Sequence, residues 1–340
     1  MSHRLNSESR NVQNPAPDWP GNFCTGHLSS AEHMIKTEHL TKRYEALTAV
    51  DDVSFTVSPG EVLGFLGPNG AGKTTTMRML AGFVSPTSGK ASICGHDVET
   101  DPIGAKASLG YLPEGAPTYG EMTVRRFLEF IADIRHLEGA QRKTRLDHVI
   151  ERLQLEKVLD QTIETLSKGF RRRVGLAQAI VHNPPVLILD EPTDGLDPNQ
   201  KHEVRALIND MARDKIIVIS THILEEVSAV CTRAIIIARG RIVADDSPAK
   251  LAVKSRYYNA VSVQLDQPGQ LADLRTALAG IPSVAEVEMS EREGRVTALP
   301  RAGANILPAI AELAAAKGFK LNELHLESGR LDEVFRSITN

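Results

Sequence analysis

Residues 67–74 read Gly67-Pro68-Asn69-Gly70-Ala71-Gly72-Lys73-Thr74 and fit the spacing G-x-x-x-x-G-K-[ST]. Glycines at these positions let the backbone wrap tightly enough for its N–H groups to face phosphate oxygens, and a following helix adds the positive potential of its N-terminus. Lys73 would then reach the β- and γ-phosphates, and the Thr74 hydroxyl would serve Mg2+. A second constellation, Val186-Leu187-Ile188-Leu189-Asp190-Glu191, is an apolar run that ends in two carboxylates. One acid can serve the metal while the next orients and deprotonates an attacking water. Paired acids at a strand end are commonly plain solvated loop residues; the phosphate loop gives these two their weight.

Both constellations need a strand before them. Val62 to Leu66 supplies it for the phosphate loop, with a helix expected from Lys73 to Phe83 and stopped by Pro86. Strands are also expected over Ile35 to Leu40 and Val50 to Val57. Between about 101 and 165 the period changes: Val124, Phe127, Leu128, Ile131 and Ile134, then Leu146, Val149, Ile150 and Leu153, repeat at helical spacing. This marks a largely helical insert. Short apolar runs return at Val186 to Leu189 and Ile216 to Ile219 around a helix from His202 to Ala212, the alternation of a parallel sheet covered on both faces. A hairpin through Arg239-Gly240 closes this unit. Strands at 259–265, 284–290, 295–299 and 320–327, with helices at 268–279 and 304–317, then give a βαββαβ succession of ferredoxin-like type, followed by a last helix from Arg330 to Ile338.

With 340 residues, the chain is too long for one small domain, and its 41% apolar content is enough for a buried core. A net charge of −4 and 4% aromatic residues leave neither a global attraction to phosphate backbones nor many stacking platforms, so nucleic acid is not an expected partner. Arg171 to Arg173, at a helix start, read as a solvated face. The three cysteines, Cys24, Cys94 and Cys231, have no CxxC pairing, which argues for a reducing compartment and against a zinc site. No apolar run approaches the roughly 18 residues of a membrane span. Residues 1–33 are polar, carry no secretory pattern and read as a disordered tail, with Met34 as the expected true start.

Five motifs occur in one order: the phosphate loop; Leu166-Ser167-Lys168-Gly169-Phe170 ahead of a helix from Arg171 to His182; Leu187 to Pro192; Gly195-Leu196-Asp197-Pro198; and Ser220-Thr221-His222. In that order and spacing, residues 35–250 resemble the ATP-binding subunits of ABC transporters. They look closest to the ABC-2 exporter branch of gliding-motility and drug-resistance ATPases. Its marks are Tyr111-Leu112-Pro113-Glu114, Lys168 within the signature, and the C-terminal Leu331-Asp332-Glu333-Val334-Phe335.

The resemblance implies an α/β fold: a P-loop NTPase domain over 34–252, with a mixed sheet and a helical insert at about 101–168, then a small α+β ferredoxin-like domain over 258–340. It implies that Gly67, Pro68, Asn69, Gly70, Ala71, Gly72, Lys73, Thr74 and Thr75 hold ATP. Asp190 and Thr74 would take Mg2+, Glu191 would be the catalytic base and His222 the switch histidine at the γ-phosphate. Ser167 and Gly169 would contact ATP held by another subunit, and Asp197 would track that nucleotide. Lys168 stands where the family has its second glycine, and Phe170 where it has glutamine. Tyr44 fits the aromatic that stacks on adenine, the plainer alternative being a residue that packs a strand edge. Glu114 stands where the family commonly has a Mg2+-touching glutamine, and an acid can still ligate Mg2+.

With one phosphate loop and one signature per chain, the resemblance implies a homodimer or heterodimer closing around two ATP. Hydrolysis would drive export through a separate ABC-2 type membrane permease docked near Glu114 to Thr123. The expected location is cytoplasmic, peripheral on the inner face of the membrane. The alternative is a soluble ABC ATPase of translation or DNA repair, whose tandem nucleotide domains, long coiled coil or zinc module this sequence lacks.

Overall fold

Val62–Leu66, Val186–Asp190 and Ile216–Thr221 are buried at every position, which strands achieve only where both faces of their sheet are covered. The structure, a computed structural model, shows how; it describes residues 34–115, 119–266, 268–301 and 303–339. The tail read over residues 1–33 lies outside the described residues.

From the amino end run β1 (Ile35–Tyr44), β2 (Leu47–Val57), β3 (Val62–Leu66), α1 (Lys73–Leu80), β4 (Ser88–Ile93), β5 (His96–Asp97), α2 (Pro102–Ala107) and β6 (Leu109–Leu112). Helices α3 (Val124–Ile134), α4 (Gly139–Arg152) and α5 (Lys168–Ile180) follow. Next come β7 (Val186–Asp190), α6 (Pro198–Met211), β8 (Ile216–Thr221), α7 (Leu224–Val230), β9 (Arg233–Ala238), β10 (Arg241–Asp246) and α8 (Pro248–Ala252). The second unit contains β11 (Tyr258–Leu265), α9 (Leu271–Ala279), β12 (Val284–Ser290), β13 (Arg295–Pro300), α10 (Leu307–Lys317), β14 (Leu321–Ser328) and α11 (Leu331–Thr339).

The central sheet has the order β10-β9-β3-β8-β7-β6. Its strands are parallel from β9 to β6, and β10 returns antiparallel through Arg239 and Gly240, both with positive φ. A smaller antiparallel sheet, β2-β1-β4-β5, shares a core with one face: Ile35, Val53 and Phe55 meet Leu63, Met77 and Val186. On the opposite face Val124, Phe127 and Leu128 of α3 pack with Leu187, Leu189 and Ile217. The helical insert therefore grows out of the sheet's own core.

That insert begins later than about 101, where the sequence placed it. Leu109–Leu112 is strand β6, paired in parallel with β7, and α2 packs through Ala105 into the core below it. A four-residue strand containing a glycine is too short to show a period of its own.

The second unit has the sheet order β12-β13-β11-β14, antiparallel throughout. Its helices contribute Leu271, Leu274, Leu278 and Ile310 to a core with Val261, Val263 and Val296, the ferredoxin-like arrangement. Helix α11 does not stay with this unit. Leu331, Phe335 and Ile338 pack against Leu66, Val227, Ala234, Ile236 and Leu251 of the first. Gly329 makes the return possible: its φ is 93°, and a Cβ there would lie 2.1 Å from the Ala252 carbonyl oxygen.

Candidate functional site

Ligands of open parallel sheets sit beyond the carboxyl ends of the strands, and here four adjacent strands end level. Leu66 of β3 pairs with Thr221 of β8, Ser220 of β8 with Asp190 of β7, and Leu189 of β7 with Leu112 of β6. At about 4.8 Å between strands, the segments carrying Lys73, His222, Glu191 and Glu114 are set side by side.

The phosphate loop leaves β3 at Gly67. A Cβ there would lie 2.5 Å from the Ile237 carbonyl oxygen, and one at Gly72 would lie 2.5 Å from that of Ala49. Gly72 is also left-handed, with φ 107°, as it caps α1. These two glycines are demanded by space, whereas Gly70 is demanded by its φ of 79° alone. Lys73 is buried, its ammonium donating to the carbonyls of Gly67 at 2.7 Å and Pro68 at 3.3 Å. Burial pulls its pKa below the ordinary value, while the charges of Glu191, Asp190 and Glu114 oppose the shift. Pro68, Asn69 and Gly70 are exposed, Ala71 is buried, and Thr74 and Thr75 are half-buried on the first turn of α1.

Asp190 is fully buried; its Oδ1 accepts from the Ser220 hydroxyl, while Oδ2 has no hydrogen-bond partner among the described residues. A buried carboxylate oxygen left without a partner is the donor chemistry of a hard divalent cation, and Thr74 on the first turn of α1 carries a second oxygen donor. The residues therefore fit Mg2+. Glu191 follows with φ 50°, a left-handed conformation that costs a non-glycine residue about 1–3 kcal/mol and concentrates at functional sites. Its carboxylate oxygens lie 3.0 and 3.1 Å from His222 Nδ1. The His222 side chain is half exposed, which leaves its outer edge free to meet a ligand.

The other expected residues form a second patch. Ser167 caps α5 by accepting from the Phe170 N–H at 3.3 Å, and Asp197 caps α6 by accepting from the Gln200 N–H at 2.9 Å. Gly169 joins the two helix starts: a Cβ on it would come within 2.4 Å of Gln200 Oε1. Ser167 and Asp197 are exposed, so this patch presents two helix N-termini outward. Tyr44 is 45% exposed at the end of β1, with the Lys42 ammonium 5.0 Å above its ring. Glu114 is exposed and close enough for its charge to act on Lys73.

Sequence reasoning missed three buried polar residues. Arg172 and Arg173, read as a solvated face, are 6% and 8% exposed. Arg172 donates to the carbonyls of Pro113, Asp190, Glu191 and Pro192. Arg173 ties α5 to Glu203 of α6 at 2.7 Å. A signal existed, since 169, 172, 173, 176 and 180 lie on one face of a helix and Gly169, Leu176 and Ile180 on that face are buried. Glu226, also buried, accepts from Thr193 and Thr221, joining the segments after Glu191 and before His222. Burial raises the pKa of its carboxyl.

The family profile described as "ABC transporter" matches residues 50–194. The Nod factor export ATP-binding protein I of Paraburkholderia xenovorans (strain LB400) is 37% identical over 243 residues, covering 71% of this chain and 80% of that protein. An uncharacterized ABC transporter ATP-binding protein of Bacillus subtilis (strain 168), YhcH, is 30% identical over 316 residues, 90% of this chain and 96% of that one. Among solved structures, an ATP-binding subunit of an ABC transporter superposes with a TM-score of 0.61 at 31% identity, over 64% of this chain and 91% of that one.

Proposed function

This chain belongs to the ABC transporter ATP-binding proteins and is an ATPase, and from that premise we propose that it powers an ABC-2 type exporter through a separate membrane permease. The observation that carries the reading is the convergence of the phosphate loop, Asp190, Glu191 and His222 at neighbouring strand ends.

In this reading the backbone of Gly67 to Gly72 and the α1 N-terminus cradle the triphosphate, and Lys73 exchanges its carbonyl contacts for phosphate oxygens. Asp190 and Thr74 would hold Mg2+, which when bound neutralises phosphate charge. Glu191 accepts the proton of the attacking water, and its hydrogen bond to His222 keeps the carboxylate oriented. Because such phosphoryl transfer needs mainly positioning and charge stabilisation, a site half assembled on one chain stays slow. The outward patch of Ser167 and Asp197, with Gly169 packed between their helix starts, completes the site of a second subunit when two copies close head to tail around two ATP. Tyr44 stacks on the adenine, and Glu114, at the fourth strand end, would add an acidic oxygen to the Mg2+ site.

Among the described residues no helix is long and apolar enough to cross a membrane, and transport would need a spanning partner. A cavity of about 720 Å3 lies away from the phosphate loop, between α2, α3 and β6, and its lining includes Phe83, Ile103, Tyr111, Ile134, Arg135 and His182. Phe83 and Ile103 are 69% and 82% exposed, and apolar groups clustered in a surface groove mark a docking site. The groove supports docking of the permease beside the segment that ends in Glu114, on the inner face of the membrane. Thr118 and the two residues before it, within the expected docking segment, lie outside the described residues.

Fractionation of cells making the full chain tests this. It should stay on membranes through a high-salt wash when its permease is present and be released when the permease is deleted. Permease-independent sedimentation with ribosomes or DNA would overturn the reading.

A further inference from the structure

Arg172 is a buried group that the roles above do not use. Its guanidinium spans two loops: Nη1 donates to Pro113 O at 2.9 Å, Nε to Pro192 O at 3.3 Å, and Nη2 to the carbonyls of both Asp190 and Glu191. In an extended strand successive carbonyls point to opposite sides, and no single donor could meet two of them. The left-handed turn at Glu191, φ 50°, brings the carbonyls of residues 190 and 191 to the same side. They converge on one guanidinium nitrogen of α5. The strained backbone and the buried arginine are therefore two halves of one arrangement. Pro113 immediately precedes Glu114, so the same cation also fixes the loop that ends β6.

We propose that Arg172 is a positioning residue for ATP hydrolysis, holding the Asp190–Pro192 backbone and the Pro113–Glu114 loop in one frame so that Glu191 is presented to the γ-phosphate. The inference rests on Glu191 being the base. It also gives α5, which is capped by the outward-facing Ser167, a rigid connection to the catalytic strand end. An arginine is required because a planar fork of five donors can reach four carbonyls from two loops, whereas a lysine brings three donors on a flexible stem.

Steady-state turnover by the full-length chain tests it. Arg172→Lys keeps the buried cation and should lower kcat about 10-fold, and Arg172→Gln about 100-fold, as misplacement of a reacting group does. The KM for ATP should stay within about twofold of wild type, since the phosphate loop is untouched. In a Glu191→Gln chain, Arg172→Lys should bring a much smaller further loss than in wild type, because the main group it positions is already gone. Should Arg172→Gln fail to fold in a thermal scan, Arg172→Lys alone carries the test. Wild-type kcat in Arg172→Lys, a rise in KM without a fall in kcat, or an equal further loss in the Glu191→Gln background would each overturn the proposal. Full turnover in Glu191→Gln alone would remove the base assignment itself, and this inference with it. Full turnover in the Arg172 variants beside an inactive Glu191→Gln would remove only this inference.

Discussion

The two ends of the Leu109–Glu114 segment break the ordinary rule of burial in opposite directions. At the strand ends polar groups are hidden: Lys73, Asp190, Glu191, Thr221 and Glu226 are all buried. In the groove apolar groups are exposed, with Phe83, Ile103 and Ile134 all turned to solvent. A buried charge is costly unless it is paired, and an exposed apolar cluster is unfavourable unless something covers it. On the proposed reading, the first region serves a small, highly charged ligand and the second an apolar protein surface. Tyr111 lines the groove while Glu114, three residues on, acts on Lys73. The β6 segment thus touches both regions at once.

If the two regions are separate in chemistry, each can be broken without the other. The largest effect is expected for Lys73→Ala, which removes the ammonium from the phosphate loop. ATP turnover should fall by about 10^3-fold or more, while salt-resistant retention on permease-containing membranes should persist. Ile103→Asp is the converse change, placing a charge on the most exposed apolar group of the groove. It should cut membrane retention about 10-fold and leave turnover of the isolated chain within about twofold.

The smallest effect sharpens the comparison through pH. His182 lines the groove with its Nε2 3.1 Å from the Leu109 carbonyl oxygen, and burial, aided by the charge of Arg135, lowers its pKa from 6.5 to about 3. Between those two values the unfolded chain binds a proton that the folded chain refuses. Stability should therefore be lost as pH falls through 6.5 towards 3, at up to about 1.4 kcal/mol per pH unit from this group. Urea unfolding at pH 7 and pH 5 should show a smaller loss in His182→Gln than in wild type.

How much of this was legible in the sequence depended on whether the chemistry lies in consecutive residues. Gly67 to Thr74 and Val186 to Glu191 carry their function in one run each, and wholly buried strands betray themselves as unbroken apolar stretches. Long-range pairing left weaker traces. The groove collects Phe83, Ile103 and Ile134 from separate elements, and no local pattern announces that they will meet. Arg172 and Arg173 were misread because arginines at a helix start are solvated by default, although their spacing from Leu176 and Ile180 put them on the buried face. The stripe Leu331, Phe335 and Ile338 was visible as a helix, but its destination beneath β3 and β9 depends on Gly329 turning the chain against Ala252.

Closure of two chains around two ATP is tested most directly by sedimentation velocity on the full-length Glu191→Gln chain, which keeps every phosphate contact but cannot take the proton of water. With saturating ATP and Mg2+ it should convert from monomer to dimer and retain one ATP per chain, while wild type returns to monomer as ATP is consumed. A Glu191→Gln chain that binds ATP and remains monomeric would contradict the account.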